Sequence, residues 1–365
     1  MFKTAAVFFL AGAMFGAETI PANNGVIAHE WGTFTSVASL SGYPMIWYAL
    51  GGPAKLPCFV HTSELLTKGS AAATVRMETP VVYFYSPRKI TMSVSVSFPA
   101  GSLTEWYPDV QNKYSLQRLD WPAVQVLPGE DLTLPSGQGG NHYYAARATD
   151  SAPLRVGKEQ EKLLFYRGVG NPAVLIRPKF TAEGKIELRS IAGDAIPAAM
   201  VFENRGGRIG YRVVRDLRGT ATVDAPELSG AAADLRGALA GELARAGLYP
   251  KEAQAMLETW RDSWFEEGMR VMYILPRSAV DAALPLKLDP PPVEMARVFV
   301  GRIEMLSPAM TEEIEGAAKS GDRKVLAKYG RFLQPFWEEL YRMRGSVAAR
   351  IPAGVVAGET GGCAQ

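Results

Sequence analysis

The clearest patterning in the chain runs from Ile90 to Phe98. Ile90, Met92, Val94, Val96 and Phe98 alternate with Thr91, Ser93, Ser95 and Ser97 without a break. A period of two, apolar on one side and hydroxyl on the other, is that of a strand with one face in a core and one in solvent. Upstream, Val75, Met77 and Thr79 alternate with Arg76 and Glu78, and Val81 to Tyr85 is a continuous apolar run. Such a run is expected where both faces of a strand are covered. Ser86-Pro87-Arg88-Lys89 separates the two stretches, which predicts an antiparallel hairpin. Val26 to Val37, rich in β-branched and aromatic residues, reads as an earlier strand.

From 99 to 160 the pattern weakens. Pro99, Pro108, Pro122, Pro128 and Pro135 interrupt it, and 121–127 and 142–148 read as short extended pieces. Short strands resume at even spacing over 163–167, 173–180, 185–191, 198–203, 209–214 and 220–223, with turn residues between them, including Gly168 to Pro172. That rhythm argues for a sandwich of antiparallel sheets.

Near residue 226 the period changes. Leu235, Leu239, Leu243 and Ala246 fall at helical spacing, Gly247 ends that segment, and Pro250 opens a second helix over 251–267. Residues 270–275 and 298–306 read as strands returning to the sheet. Ser307 and Pro308 open another helix, Gly321 ends it, and Asp322 caps a longer one with an apolar stripe from Leu326 to Leu340 and a kink at Pro335. Together the elements predict an α+β fold. An antiparallel β-sandwich-like body spans 24–225, and a mostly helical C-terminal part, 226–350, with two returning strands, packs on it; 351–365 reads as a flexible tail.

The first 17 residues change the picture of where the chain acts. Lys3, an apolar run from Ala5 to Phe15 and the small residues Gly16 and Ala17 have the layout of a secretory signal peptide. The run is shorter than the ~20 residues a membrane span needs. The expected product is soluble and exported, periplasmic or extracellular, with no transmembrane segment. The formal charge of +2 falls to +1 without Lys3, so there is no electrostatic footprint for nucleic acid. Cys58 and Cys363 are the two cysteines. An oxidising compartment permits a bridge between them; the plainer reading is a buried Cys58 and a loose terminal thiol.

Candidate chemistry centres on His29-Glu30-Trp31-Gly32-Thr33. It begins like the zinc-protease helix motif, but Thr33 stands where the second histidine ligand belongs, and the β-branched surroundings favour a strand. A looser divalent-metal site from His29, His61 and His142 is one expectation; three separate histidines is the plainer one. His29 as ligand or base and Glu30 as acid, base or ligand are the residues on which a hydrolase would depend. Glu30 with Glu78, or Glu105 beside Trp106, would suit an acid–base pair, whereas the bland alternative is ion pairing with Arg76 or Arg167. Trp31, Trp106 and Tyr143 are candidate ligand-stacking aromatics.

The segments from His29 to Val37 and from Arg76 to Pro87, with Phe165 to Gly170 and Trp264-Phe265, are similar to those of a group of exported bacterial proteins of unassigned function. The resemblance spans most of the mature chain and implies export, but no activity. The first functional expectation is therefore a non-catalytic exported protein that binds a protein or glycan at the cell surface or in the periplasm. The second is a metal-dependent or acid–base hydrolase using His29 and Glu30.

Overall fold

The computed structural model describes residues 25–49, 56–65, 72–137 and 141–344. The segments read as a leader, 1–17, and a tail, 351–365, lie outside them. The strands, in chain order, are β1 Ile27–Val37, β2 Trp47–Tyr48, β3 His61–Thr62, β4 Ala72–Ala73, β5 Val75–Tyr85, β6 Ile90–Ser97, β7 Gly101–Tyr107, β8 Arg118–Val126, β9 Leu154–Val156 and β10 Glu159–Glu161. They continue with β11 Leu164–Gly170, β12 Ile176–Phe180, β13 Ile186–Ser190, β14 Ile196–Arg205, β15 Arg208–Leu217, β16 Thr220–Val223, β17 Gly268–Ile274, β18 Leu286–Asp289 and β19 Glu294–Met305. The helices are α1 Ala232–Arg245, α2 Pro250–Thr259, α3 Arg261–Trp264, α4 Arg277–Ala283, α5 Pro308–Ser320, α6 Arg323–Ala327 and α7 Leu333–Arg344, with 3-10 turns at His142–Arg147 and Gly330–Phe332.

Every residue of β1 and β5 is buried, because both strands lie inside a nine-stranded sheet with both faces covered. Its order is β15-β14-β17-β19-β1-β5-β11-β7-β3. Alternation sends Ala28, Phe34, Met77 and Phe84 to one face, where they meet Met92, Val94 and Trp121 of a five-stranded sheet, β10-β9-β8-β6-β18, and the C-terminal helices. Ile27, Trp31, Val81 and Tyr83 go to the other face, against Leu235, Leu239 and Leu243 of α1 and Met256 and Leu257 of α2. The fold is α+β, with antiparallel-rich sheets and helices concentrated towards the C-terminus. One pairing, β1 with β19, is parallel. Among the described residues no helix is long and apolar enough to cross a membrane.

The returning strands β17 and β19 lie at the centre of the large sheet, between β14 and β1. Ser307 accepts a hydrogen bond from the Met310 amide at the start of α5, Gly321 closes that helix at φ 73°, and Asp322 caps α6, as the sequence predicts. Four expectations are corrected. The hairpin of 75–85 with 90–98 does not form: β5 pairs with β1 and β11, while β6 crosses to the second sheet and pairs with β8 and β18. The fully buried strand belongs mid-sheet, and the half-exposed one belongs where one face meets solvent. Residues 142–147 are a 3-10 turn capped by Asn141, not extended. Gly168 and Gly170 lie inside β11 rather than in a turn; a Cβ on either would stand 2.4–2.5 Å from a backbone carbonyl oxygen. The long helix after Asp322 breaks at 328–332, so Pro335 sits in the first turn of α7, where its missing N–H costs nothing.

Candidate functional site

His29 and Glu30 are neighbours on β1, so they point to opposite faces of the sheet. Both are fully buried. His29 Nδ1 lies 2.8 Å from Glu252 Oε2, and the Tyr85 hydroxyl and Tyr249 amide donate to the same carboxylate at 2.8 and 2.9 Å. Glu252 stands in the first turn of α2, so this cluster pins that helix to β1. Glu30 accepts from Arg297 Nε at 2.5 Å and from the Tyr166 hydroxyl. Arg297 is its register partner across the parallel β1–β19 pair. The sequence alternatives for its counterion, Arg76 and Arg167, lie elsewhere.

The three histidines are not brought together. His61 Nε2 contacts Glu159 at 2.8 Å, and His142 Nε2 contacts Asp262 at 3.3 Å, so each histidine faces a different carboxylate. Among the described residues no group of three or more His, Cys, Asp or Glu side chains is placed to hold a metal ion. Trp31 is fully buried and packs on Tyr83. Trp106 lines a small hollow of about 240 Å³ with His61 and Tyr114. Cys58 is half of a disulfide, and Cys363 lies outside the described residues.

A different place collects chemistry. On β5, Glu78 pairs with Thr33 of β1 and Val81 with Trp31, so Thr79 and Pro80 together stand opposite the single residue Gly32. Thr79 takes φ 50°, a left-handed conformation that strains a β-branched residue. The neighbouring β11 shifts register over the same stretch, between Phe165 and Gly168. Bulges re-aim side chains, and here Thr79 and Arg167 line one cavity. It measures about 340 Å³.

Its floor is basic. Arg76 Nε lies 3.3 Å from Glu78 Oε1, Arg331 also binds that oxygen, and Thr35 donates to Oε2 at 2.7 Å. Burial alone would raise the Glu78 pKa, but Arg331 and Arg76 outweigh it and hold the carboxyl well below the usual range. Burial lowers Arg76 to about 10 despite Glu78, with Arg331 and Arg167 adding to the shift. Arg167 is lowered by burial as well; Glu105 and Glu78 oppose that from beyond ion-pair range. Arg167 Nη2 donates to Thr79 Oγ1 at 3.2 Å, and its Nε is buried without a partner among the described residues.

The walls are aromatic: Phe165, Tyr143, Trp260, Tyr329 and Phe332. His142 and Asp262 form the partly exposed rim. Behind the α3 wall, Arg302 binds Glu266 at 2.6 Å, Ser263 at 3.0 Å and Glu304 at 2.6 Å. Arg270 shares Glu304 and binds the carbonyls of Trp264 and Glu266. This buried network fixes the Trp264–Glu267 turn against the sheet. Two further polar atoms of the lining, Thr259 Oγ1 and Trp260 Nε1, are buried without a partner among the described residues.

Of the residues singled out from the sequence, only Tyr143, His142 and Glu78 line this cavity. Arg76 and Arg167 stand in the sequence reading only as counterions, and Thr259 and Arg331 not at all. The available signal was a charged residue inside otherwise apolar strands, next to a Thr-Pro step that breaks the alternation. No protein-family model and no curated protein matches the chain. Among solved structures it is similar to the yeast delta-COP-I mu-homology domain, with TM-score 0.32 and 8% identity over 78% of this chain and 98% of that one. The same domain complexed with the Dsl1 WxWxV peptide gives the same values. A likeness at that level carries no argument about function.

Proposed function

We propose that this protein acts after export as a binding protein, and that its ligand enters the aromatic cavity over Thr79 and Arg167. The observation that carries this reading is a cavity of about 340 Å³ walled by aromatic rings whose lining includes Arg167, an arginine with no carboxylate in ion-pair contact among the described residues. A buried polar atom left unpaired costs about 1–3 kcal/mol, and such atoms in native proteins call for an explanation. A small organic ligand, or the protruding group of a larger partner, with an apolar body and a polar end would cover the rings and meet the Arg167 guanidinium. The volume lies within the range of ordinary small-molecule sites. The hydrolase alternative through His29 and Glu30 has no comparable support, since both side chains are fully buried and neither lines the cavity.

The test is fluorescence titration with N-phenyl-1-naphthylamine, a neutral apolar probe. Saturable binding is expected, weakened on the order of tenfold in Trp260→Ala and Phe332→Ala, since an aromatic contact is worth about 0.5–1.5 kcal/mol beyond its area. Tyr114→Ala, in the separate hollow by His61, is the control. No saturable binding, or binding indifferent to both wall substitutions, would refute the reading.

A further inference from the structure

We infer that the cavity selects an organic anion, an aromatic or otherwise apolar body carrying a carboxylate-like group, and that Arg167 is the residue that reads the charge. This deepens the binding reading above and rests on it.

Six acidic or basic side chains other than His142 line the cavity: Arg76, Arg167, Arg331, Glu78, Asp262 and Glu266. Five of them already have a partner. Arg76 and Arg331 share Glu78, Glu266 is bound by Arg302, and Asp262 faces His142 and Arg261. Among the described residues, Arg167 alone in this lining has no carboxylate within ion-pair distance. Glu105, its register partner on β7, instead accepts from Thr104.

Arg167 is therefore the lining arginine whose carboxylates, Glu105 and Glu78, act on it only from beyond ion-pair range. An arginine presents parallel N–H groups that match a carboxylate, and a charge-assisted hydrogen bond is roughly twice as strong as a neutral one. Arg167 Nη2 donates to Thr79 Oγ1, which holds the guanidinium in the lining. The strained conformation of Thr79 thus has a use, because it places that hydroxyl against the arginine.

A neutral ligand leaves Arg167 without a carboxylate in contact.

The experiment compares 2-naphthoate with 2-naphthamide, which share shape and differ in charge, by isothermal titration calorimetry on the full chain. Naphthoate is expected to bind at least about tenfold tighter, with the advantage shrinking as salt rises. In Arg167→Gln that advantage should vanish, and in Arg167→Lys part of it should return. Equal affinity of the two compounds for the wild type, with binding of both, overturns the charge inference and leaves the cavity reading standing. Binding of neither compound, nor of the neutral naphthylamine probe, overturns both. A preference that survives in Arg167→Gln assigns the charge to Arg76 or Arg331 and overturns the role given to Arg167.

Discussion

Replacing Glu30 with glutamine tests whether the most conspicuous carboxylate in the sequence serves structure or chemistry. Its side chain and that of Arg297 are each 1% exposed, and they meet at 2.5 Å. Removing one partner of a buried ion pair costs about 3–5 kcal/mol, because the other charge is left uncompensated. The lower end applies here, since Arg297 keeps Asp281 at 2.7 Å and the Leu284 carbonyl at 2.7 Å. About 2.1 cal/mol/K of unfolding entropy per residue over roughly 300 ordered residues gives ~0.6 kcal/mol/K, so a ~3 kcal/mol loss lowers Tm by about 5 °C. Scanning calorimetry of wild type, Glu30→Gln, Arg297→Met and the double variant Glu30→Leu/Arg297→Met reads this directly. The double variant should be more stable than the sum of the single losses implies, because apolar replacements leave no buried charge behind. A Glu30→Gln protein that melts within about 1 °C of wild type would refute the argument from burial. If that protein also lost a measurable activity, Glu30 would be a chemical group after all.

Three other outcomes follow from the geometry. The Glu78 carboxyl is depressed below its ordinary value of 4.5, so its contribution to stability is full above that value and is lost as pH falls through the lower folded value. The Tm gap between wild type and Glu78→Gln should therefore narrow from about pH 6 to about pH 3, and a constant gap would contradict the linkage. In Gly32→Ala the new Cβ would stand 2.6 Å from the Phe299 ring; overpacking of this kind costs about 1–3 kcal/mol, and Phe299→Leu should restore part of it in a denaturant melt. Thr79→Gly relieves a left-handed residue worth about 1–2 kcal/mol against about 0.5–1 kcal/mol of added backbone entropy and about 0.5–1.5 kcal/mol for the lost hydrogen bond to Arg167. Its Tm should stay within about 3 °C of wild type while calorimetry shows a weaker naphthoate preference; a fall of more than about 5 °C would contradict the strain.

Local signals in the sequence carried well. The two-residue period found β6, the unbroken apolar run found β5, and Ser307, Gly321 and Asp322 marked helix ends, because each of these depends on neighbours within a few residues. Pairing did not carry. The short separation between β5 and β6 suggested a hairpin, yet burial on both faces of β5 and on one face of β6 already placed them in different layers. Gly168 and Gly170 looked like turn residues because the demand for them comes from Ala100 and Ser102, some 70 residues away in sequence, whose carbonyls press on the strand. The cavity was least visible. Arg76, Arg167 and Arg331 come from two strands and a 3-10 turn, and only the double bulge at Thr79 and Arg167 brings them together. The bulge itself has no sequence mark beyond Thr79-Pro80. Glu78 with Arg76 was legible as an ion pair; Glu30 with Arg297, 267 residues apart, was not.

The parallel pairing of β1 with β19 bears on the order in which the molecule can form. Ile27 lies beside Glu294, and Val37 beside Glu304. An N-terminal strand with both faces in the core acquires its second neighbour only when nearly the whole chain exists. Closing so long a loop is entropically slow, and chains emerge from the ribosome at about 5–20 residues per second. The first of the described strands is therefore among the last to be completed. Chains truncated before residue 294 should expose the β1 edge and aggregate instead of folding into a smaller version of the protein.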